Sequence, residues 1–401
     1  MKFKYIARTQ EGNIQSGTVE ANGQRTAAAL VKSQNLILIS LEEDTGGFSF
    51  DSLFAGLKLV SSSDVVNFTR QLATMVSAGL SLAESLNILK QQIKNEHFKT
   101  IVQSVQADVS GGNSFSNALS MYPDVFDSTY VSLLTAGEAS GNLDDILIRL
   151  ADKLEKSRGF KSKLRGAMIY PIIVVVAMAG VMIVMVVFVI PKLTEMYSSL
   201  QIELPLPTKI LIWISDVVIN YWLFMIIGVT AIIVAFSYFK KTVTGKYTLD
   251  KIVLRIPIFS NITKLGIYTE FTRTLSLLLR SGVSIVEALQ IVGNSLGNVY
   301  FQEEVFKASR KVEKGVPLSE PIIASKYFPP IIGQMIAVGE RTGKIDEVLL
   351  KTSAYFESEA DQAVKNLSTA LEPIIMVLLG LMVGVLILSV ITPIYKLTSS
   401  F

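Results

Sequence analysis

Cysteine is absent from this chain of 401 residues, and histidine occurs only once. Without cysteine, disulfide bonds and thiolate metal sites are excluded. The single histidine, His97, provides neither a histidine metal cluster nor the choice of bases that a Ser-His-Asp triad needs. The net charge of +3 is too small to indicate a nucleic-acid partner. We therefore expect no metal, no cofactor and no catalytic residue.

Apolar residues make up half of the sequence and are concentrated in three long segments. Residues 167–190 and 217–239 contain no charged side chain, and residues 371–391 contain one carboxylate, Glu372, at their start. At about 1.5 Å per residue, each segment is long enough to cross a hydrocarbon core of about 30 Å. The sequence therefore predicts a membrane protein with three spans.

Basic side chains mark one side of these spans. Five precede the first span, namely Lys156, Arg158, Lys161, Lys163 and Arg165. Five more follow the second span, namely Lys240, Lys241, Lys246, Lys251 and Arg255. Because basic flanks stay in the cytoplasm, we expect the N-terminus inside the cell and the C-terminus on the outer side of the membrane. The cluster at 156–165 has two further interpretations, a contact with anionic lipid headgroups or with an acidic surface of a partner.

A stretch that precedes the first span occurs a second time before the third. At a constant offset of 203, the matching positions are Phe68/Phe271, Arg70/Arg273, Gly79/Gly282, Ser81/Ser284 and Glu84/Glu287. Residues 137–147 then recur as 339–349 at an offset of 202. Each copy leads into a span, and both of these spans run in the same direction. This is a parallel duplication, unlike the inverted repeats of many transporters.

Local signals in both copies predict short helices joined by tight turns. Apolar residues follow helical spacing from Phe68 to Gly79 and from Phe271 to Gly282. The two glycines are expected to end these helices. The Ser-x-x-Glu spacing that follows predicts a capping box at the start of the next helix in each copy. Each copy should form a bundle of roughly six helices.

The segments GEASGNLDD and GERTGKIDE predict a second corner in each copy. Their motif positions are Gly137, Glu138 and Gly141 in the first copy and Gly339, Glu340 and Gly343 in the second. The later glycine should end a helix, and the acidic pairs that follow, Asp144/Asp145 and Asp346/Glu347, should lie in the first turn of the next helix, where the helix dipole favours negative charge. The alternative is that these acids bind a divalent ion, but two adjacent carboxylates are too few ligands on their own.

Residues 339–344 also resemble a phosphate-binding loop. That loop has four residues between its glycines and a serine or threonine after the lysine. Here three residues separate Gly339 from Gly343, Ile345 follows the lysine, and the first copy has Asn142 in place of Lys344. We interpret this segment as a helix corner.

Two connecting stretches, which we call the first lever (154–165) and the second lever (355–367), are predicted to continue as helix from bundle to span. Apolar residues keep helical spacing up to Leu154 and Phe356. Neither lever contains proline, and Gly159 is their only glycine.

The first 43 residues predict a small α+β domain. The expected elements are a strand with alternating Phe3, Tyr5 and Ala7, a turn at 12–13, a strand at 15–21, a helix capped by Asn22 and a strand at 36–41. Residues 44–63 are interpreted as a linker, with a membrane-surface helix as the alternative.

Together these motifs resemble the type II secretion F and type IV pilus inner-membrane platform family (PilC/GspF). The repeated segments are FTRQLATMVSAGLSLAESL and FTRTLSLLLRSGVSIVEAL. The resemblance covers nearly the whole chain in order. One departure is Arg341, which is charged where the first copy has Ala139. The departure leaves the glycines and the capping positions in place.

The resemblance implies a mainly α integral membrane protein with two homologous cytoplasmic helical bundles, three transmembrane helices and a small N-terminal ββαβ domain. The expected boundaries are 1–43 for the N-terminal domain, 44–63 for the linker, 64–165 for the first bundle, 167–190 for the first span, 191–216 for a periplasmic loop, 217–239 for the second span, 240–366 for the second bundle with its leading connection, 371–391 for the third span and 392–401 for a periplasmic tail.

The resemblance also implies a scaffold rather than an enzyme. It implies a bacterial inner-membrane platform that couples the motion of a cytoplasmic hexameric ATPase to the insertion of pilin into a type IV pilus, or to its removal. The implied partners are the assembly or retraction ATPase, pilin or pseudopilin subunits, other inner-membrane assembly proteins, membrane lipids and further copies of the chain. Type II secretion, with a pseudopilus as the fibre, is the alternative within the family.

Two other classes of protein are disfavoured by the residues themselves. A transporter or channel needs polar groups at the midplane of its spans. The one carboxylate of the three spans, Glu372, lies at the start of the third span and not at its midplane. This carboxylate either reaches water at the interface or contacts pilin or a neighbouring platform subunit. A membrane enzyme needs a nucleophile with its base or a metal constellation, and neither pattern occurs.

The positions of the basic clusters predict the topology. Reporter fusions after residues 43 and 300 should show cytoplasmic activity, and a fusion at the C-terminus should show periplasmic activity, because three spans separate the two ends. Paired alkaline phosphatase and fluorescent-protein fusions at each site measure this directly. A cytoplasmic C-terminus would mean that one of the three segments does not cross.

Overall fold

A computed structural model of the chain describes residues 2–8, 14–21, 23–33, 37–43, 60–192, 195 and 206–399. Its contacts divide the chain into two units, Met1–Leu59 and Val60–Phe401. The expected turn at 12–13, the capping role of Asn22, most of the linker and much of the loop after the first span lie outside the described residues.

The first unit contains a three-stranded antiparallel sheet and one helix. In chain order, its elements are β1 (Lys2–Arg8), β2 (Ile14–Glu20), α1 (Gln24–Lys32) and β3 (Ile37–Glu43). The strand order is β2-β1-β3, so β1 is central. The expected alternation is present, since Phe3, Tyr5 and Ala7 of β1 are buried. Two residues of α1 pack against this face of β1: Val31 packs with Tyr5 and Ala7, and Ala27 packs with Phe3.

The two sequence copies contain the same series of helices. In residues 60–192 these are α2 (Ser62–Ser77), α3 (Leu82–Gln92), α4 (Glu96–Ser110), α5 (Phe115–Ser120), α6 (Ser128–Ser140) and α7 (Leu143–Val184). In residues 257–399 these are α10 (Pro257–Arg280), α11 (Ile285–Ser295), α12 (Val299–Glu313), α13 (Ser319–Ile323), α14 (Pro330–Thr342) and α15 (Ile345–Ser399). Six helices in the same order confirm the duplication. Between the copies lie α8 (Leu206–Lys241) and α9 (Val243–Arg255).

Equivalent aromatic side chains meet in the core of each copy. In the first, the ring centroids of Phe68 lie 5.5 Å from Phe98 and 6.2 Å from Phe126. In the second copy, the rings equivalent to these are Phe271, Phe301 and Phe328. The ring of Phe328 lies 4.7 Å from Phe271 and 5.5 Å from Phe301. Large aromatic side chains contribute most of the buried apolar area in such cores, so both bundles are organised around the same three positions.

The glycines of the two motifs end helices as the sequence predicts. Gly141 and Gly343 are left-handed C-caps with φ of 71° and 69°. Gly79 and Gly282 follow α2 and α10 with φ of 92° and 83°. A side chain at these angles is strained because its Cβ approaches the backbone. The acidic residues after Gly141 and Gly343 lie in the first turns of α7 and α15.

The expected capping boxes at Ser81 and Ser284 are only half formed. Each serine accepts a hydrogen bond from the backbone of the glutamate three residues on, Glu84 or Glu287. Among the described residues, neither glutamate returns a bond to the serine backbone. Both side chains are exposed, and ordering a long side chain there costs conformational entropy. A complete capping box occurs instead at Ser61 with the shorter Asp64, which the sequence analysis did not identify.

Both levers are continuous helix, as predicted. Helix α7 extends through the first lever into the first span, and α15 extends through the second lever and the third span. A π-helical turn, Met185–Val189, follows α7 near the far end of the first span. It was not predicted. There the Ser215 hydroxyl donates a hydrogen bond of 2.6 Å to the Val186 carbonyl, which joins the first span to α8.

The helix that contains the second span begins before that span. Residues 206–216, assigned to a loop, form the first part of α8. Lys209 and Asp216 are charged residues within this stretch. Pro207 at the start of the helix is tolerated because first-turn amides need no partner within the helix. In the described part of the chain, three helices are long and apolar enough to cross a membrane.

A glycine substitution at a helix end and one within a helix should have opposite effects. Gly343→Ala should lower the free energy of unfolding by about 1 kcal/mol because its φ is left-handed. Gly159→Ala, inside α7 with no atom near the added Cβ, should raise it by about 0.5 kcal/mol. Thermal unfolding of the full chain in detergent, followed by circular dichroism, compares the two. Equal shifts would contradict the assigned helix end.

Candidate functional site at the paired levers

The first bundle helix of each copy contains the segment Phe-Thr-Arg, and the arginine of this segment, Arg70 or Arg273, binds the lever of its own copy. In the first copy, Arg70 Nε lies 2.6 Å from Glu155 Oε1, and Arg70 Nη2 lies 2.7 Å from Glu155 Oε2. These hydrogen bonds hold the pKa of the Glu155 carboxyl below its ordinary value. In the second copy, Arg273 Nη2 lies 2.6 Å from Glu357 Oε2. Since Glu357 is the equivalent of Glu155, the duplication keeps one fixed link between the first bundle helix and the lever.

Three further ion pairs join one copy to the other. The Nζ atom of Lys153 lies 3.0 Å from Glu270 Oε1. The other two pairs are Lys156 with Glu357 at 3.3 Å and Lys163 with Asp361 at 2.6 Å. Glu357 therefore accepts from both Arg273 and Lys156. The pairs of Lys156 and Lys163 link the two levers side by side, and the pair of Lys153 with Glu270 links the end of the first bundle to α10.

The pair of Lys153 and Glu270 lies deepest. The Lys153 side chain is 7% exposed and that of Glu270 is 31% exposed. Burial alone raises the pKa of the Glu270 carboxyl, but the charge of Lys153 and the hydrogen bonds from Lys153 and Thr274 outweigh it, so this pKa lies below its ordinary value. A buried charge that loses its partner is strongly destabilising. This pair is therefore the strongest candidate for a link between the copies.

The five basic residues before the first span have different surroundings. Lys156 and Lys163 form the ion pairs described above, and Arg158 Nη1 donates to Asn67 Oδ1 at 3.1 Å. Within the described part of the chain, Lys161 and Arg165 have no ion pair, and both are exposed. The charge cluster that the sequence marks as one group thus divides into three residues with partners in the protein and two exposed residues without an ion pair in the described part of the chain.

The segments GEASGNLDD and GERTGKIDE each begin with Gly-Glu, which we call the GE motif. Its glutamate caps a neighbouring short helix in each copy. Glu138 accepts from the Phe115 amide at 2.5 Å, from the Ser116 amide at 3.1 Å, and from the Ser116 hydroxyl. Glu340 does the same for the start of α13, where its Oε1 lies 2.5 Å from the Leu318 amide. A carboxylate here satisfies helix amides that have no partner within the helix. The sequence analysis assigned these glutamates only to a corner.

The first glycine of the GE motif permits close packing. A Cβ on Gly137 would lie 3.0 Å from Ile146 Cγ1, and one on Gly339 would lie 2.7 Å from Ile345 Cα. Consecutive helices therefore approach each other at this position. Both copies have a glutamate directly after this glycine.

The remaining candidate residues are exposed. Glu372 is exposed at the start of the third span and, within the described residues, has no ion pair. Asp145 pairs with Arg149 at 2.6 Å, and Glu347 pairs with Lys344 at 3.5 Å. No group of three or more acidic or histidine side chains in the described ranges is arranged to hold a metal ion. His97 is exposed in the first turn of α4.

The chain matches two family models. The model of type II secretion system (T2SS) protein F matches residues 68–191 and again 271–393. The model of the N-terminal domain of type II secretion system protein F matches residues 1–42. The first model thus covers each bundle together with its lever and the span that follows.

Three curated proteins illustrate the similarity over the full length. The type IV pilus assembly protein PilC of Thermus thermophilus is 38% identical over 98% of this chain and 98% of its own length. PilC of Myxococcus xanthus is 34% identical over 100% of this chain and 95% of its own length. The type II secretion system protein F of Xanthomonas campestris is 32% identical over 99% of both chains.

A double-mutant cycle should detect coupling across the two copies. Lys153→Met and Glu270→Gln should each lower the free energy of unfolding, and the double variant should lose less than the sum, with a coupling of about 1–2 kcal/mol. The exposed pair of Lys344 and Glu347 is the control, with an expected coupling below about 0.5 kcal/mol. Thermal unfolding of the full chain in detergent measures both cycles. Additive effects at Lys153 and Glu270 would remove this link.

Proposed function

This chain belongs to the type II secretion system protein F family, and from that premise we propose that it is the inner-membrane platform of a type IV pilus assembly machine. The relatives named type IV pilus assembly protein PilC, at 38% and 34% identity over nearly the full length, support the pilus. In this proposal the N-terminus and both bundles lie in the cytoplasm, and the C-terminus lies in the periplasm.

The platform acts as a mechanical coupler. A cytoplasmic hexameric ATPase moves the bundles, and the levers carry this motion to the first and third spans, beside which pilin subunits leave the membrane or return to it. The single observation that carries the proposal is the continuity of α7 and α15 from bundle to span. An uninterrupted helix resists bending and twisting, whereas a flexible connection would absorb the motion.

The chain contributes binding and stiffness and performs no chemistry of its own. The loop at 339–344 supports this, because Gly343 is a helix C-cap and its neighbour Lys344 pairs with Glu347. We propose that ATP hydrolysis belongs to the partner.

Type II secretion is the second candidate. The Xanthomonas campestris relative named type II secretion system protein F, 32% identical over 99% of this chain, favours it. Deletion of the gene separates the two candidates: loss of surface pili supports the pilus platform, and retention of secreted enzymes in the periplasm supports the secretion platform.

Flexible insertions in either lever should stop fibre assembly. A Gly-Ser segment about two helical turns long, placed at Ser157 or Ser358, should abolish surface fibres while membrane insertion and protein level remain normal, because a flexible segment transmits no torque. An alanine-rich segment with the same number of residues also lengthens the lever, but it stays helical. This variant should therefore retain more surface fibres than the Gly-Ser variant.

Two controls complete this experiment. The same Gly-Ser segment after Gly112, in an exposed turn outside the levers, should leave fibre number unchanged. Fibres are counted by electron microscopy, and protein level is measured by immunoblotting of membranes. Wild-type fibre numbers in a lever insertion would show that the levers are passive tethers.

A further inference from the structure

A cavity of about 430 Å³ lies between the first lever, α10 and α15. Its volume is within the range of about 300–1,000 Å³ that small-molecule sites occupy. Apolar side chains contribute much of the wall, namely Phe160, Leu164, Ile262, Ile267 and Leu296. Basic side chains of the first lever, Lys156, Lys161 and Lys163, lie in the same lining. Arg273 and the carboxylates of Glu270, Glu357 and Asp361 also line it. The cavity therefore combines an apolar wall with a polar side, here called the basic side, on which four cations meet three carboxylates.

The apolar wall continues to the membrane boundary. Ile262 packs with Val364 and Leu367 in a small cluster that also contacts Ala167 and Leu371. These last two are the residues at which the first and third spans were predicted to begin. A second recess of about 300 Å³ shares Ile262 and extends to Ala370. The cavity, this apolar cluster and the second recess thus share Ile262 and lead towards the start of the first and third spans.

The charges of the basic side are not all neutralised within the chain. Lys156 and Lys163 pair with Glu357 and Asp361. Lys161 is exposed and, among the described residues, has no ion pair or hydrogen bond. A lysine at the cytoplasmic membrane surface attracts anionic headgroups by about 1 kcal/mol. Lys161 therefore provides the cavity lining with an exposed cation that has no ion pair among the described residues.

We propose that this cavity binds one acidic phospholipid. Its acyl chain lies along Phe160 and Leu164, and its phosphate group meets Lys161. Bound there, the lipid contacts the first lever and the helices of the second copy at once. The two levers would then be joined by a component of the membrane itself as well as by ion pairs, whichever fibre the chain serves.

Two glycines allow the cavity to be filled without distorting the fold. A Cβ on Gly159 would have no atom within 4 Å, and one on Gly266 would lie 3.6 Å from Phe160. Both glycines line the cavity. Gly166 lies on the same helix as Gly159, also has no atom near an added Cβ, and does not line the cavity. It is therefore a matched control.

The test measures lipid binding to the full-length chain in detergent by native mass spectrometry. The probe is dioleoylphosphatidylglycerol. We expect one tightly retained molecule per chain, loss of that molecule in Gly159→Leu, and wild-type retention in Gly166→Leu. Lys161→Gln, an exposed change that does not affect packing, should weaken binding about fivefold. Circular dichroism confirms that each variant is folded.

Two further probes identify the source of the recognised group. Dioleoylphosphatidylcholine has the same acyl chains without net charge and should bind about fivefold more weakly. Inorganic phosphate should not displace the bound lipid. Equal binding of the two lipids, displacement by phosphate, or equal losses in Gly159→Leu and Gly166→Leu would each overturn the proposal. Unchanged binding in both Gly159→Leu and Lys161→Gln would overturn it as well.

Discussion

The backbone hydrogen bonds of α7 and α15 are the constraint on which the rest of the structure depends. At about 1.5 Å per residue, α7 is roughly 60 Å long, enough to extend from the bundle core into the membrane. Pro171 and Pro373 each remove one backbone hydrogen bond, but both lie beyond the levers. Within the levers the helices are uninterrupted, so the aromatic cores and the Arg70–Glu155 and Arg273–Glu357 pairs are all attached to rigid elements.

The duplication kept the interactions within each copy and changed those between copies. Arg70 and Glu155 have the same residue types at Arg273 and Glu357. By contrast, each inter-copy pair contains at least one residue that differs from its equivalent. Lys163 and Glu357 keep their types at Lys365 and Glu155, whereas the equivalents of the other four residues are Tyr355 for Lys153, Asn67 for Glu270, Ser358 for Lys156 and Gly159 for Asp361. Since the fold of a bundle needs the first set only, the second set was free to diverge, and it now holds the two bundles against each other.

Local rules predicted the features that depend on neighbouring residues. The helix ends at Gly141 and Gly343, the half-buried strand β1 and the continuous levers follow from spacing alone. The pair of Lys153 and Glu270 joins residues far apart in the chain, and no local pattern places them together. The capping of α5 by Glu138 was missed for the same reason. The early start of α8 was missed because two charged residues, Lys209 and Asp216, interrupt the apolar residues before the second span.

The inter-copy ion pairs show that the two halves of the chain are not related by a twofold axis, because all three cations come from the first copy and all three carboxylates from the second. Two identical halves related by a twofold axis would place the same residue on both sides of their interface, so every pair would occur twice. In this chain Lys153, Lys156 and Lys163 supply the cations, and the second half supplies the carboxylates. The halves are therefore not interchangeable, because each supplies only one sign of charge to the ion pairs between them.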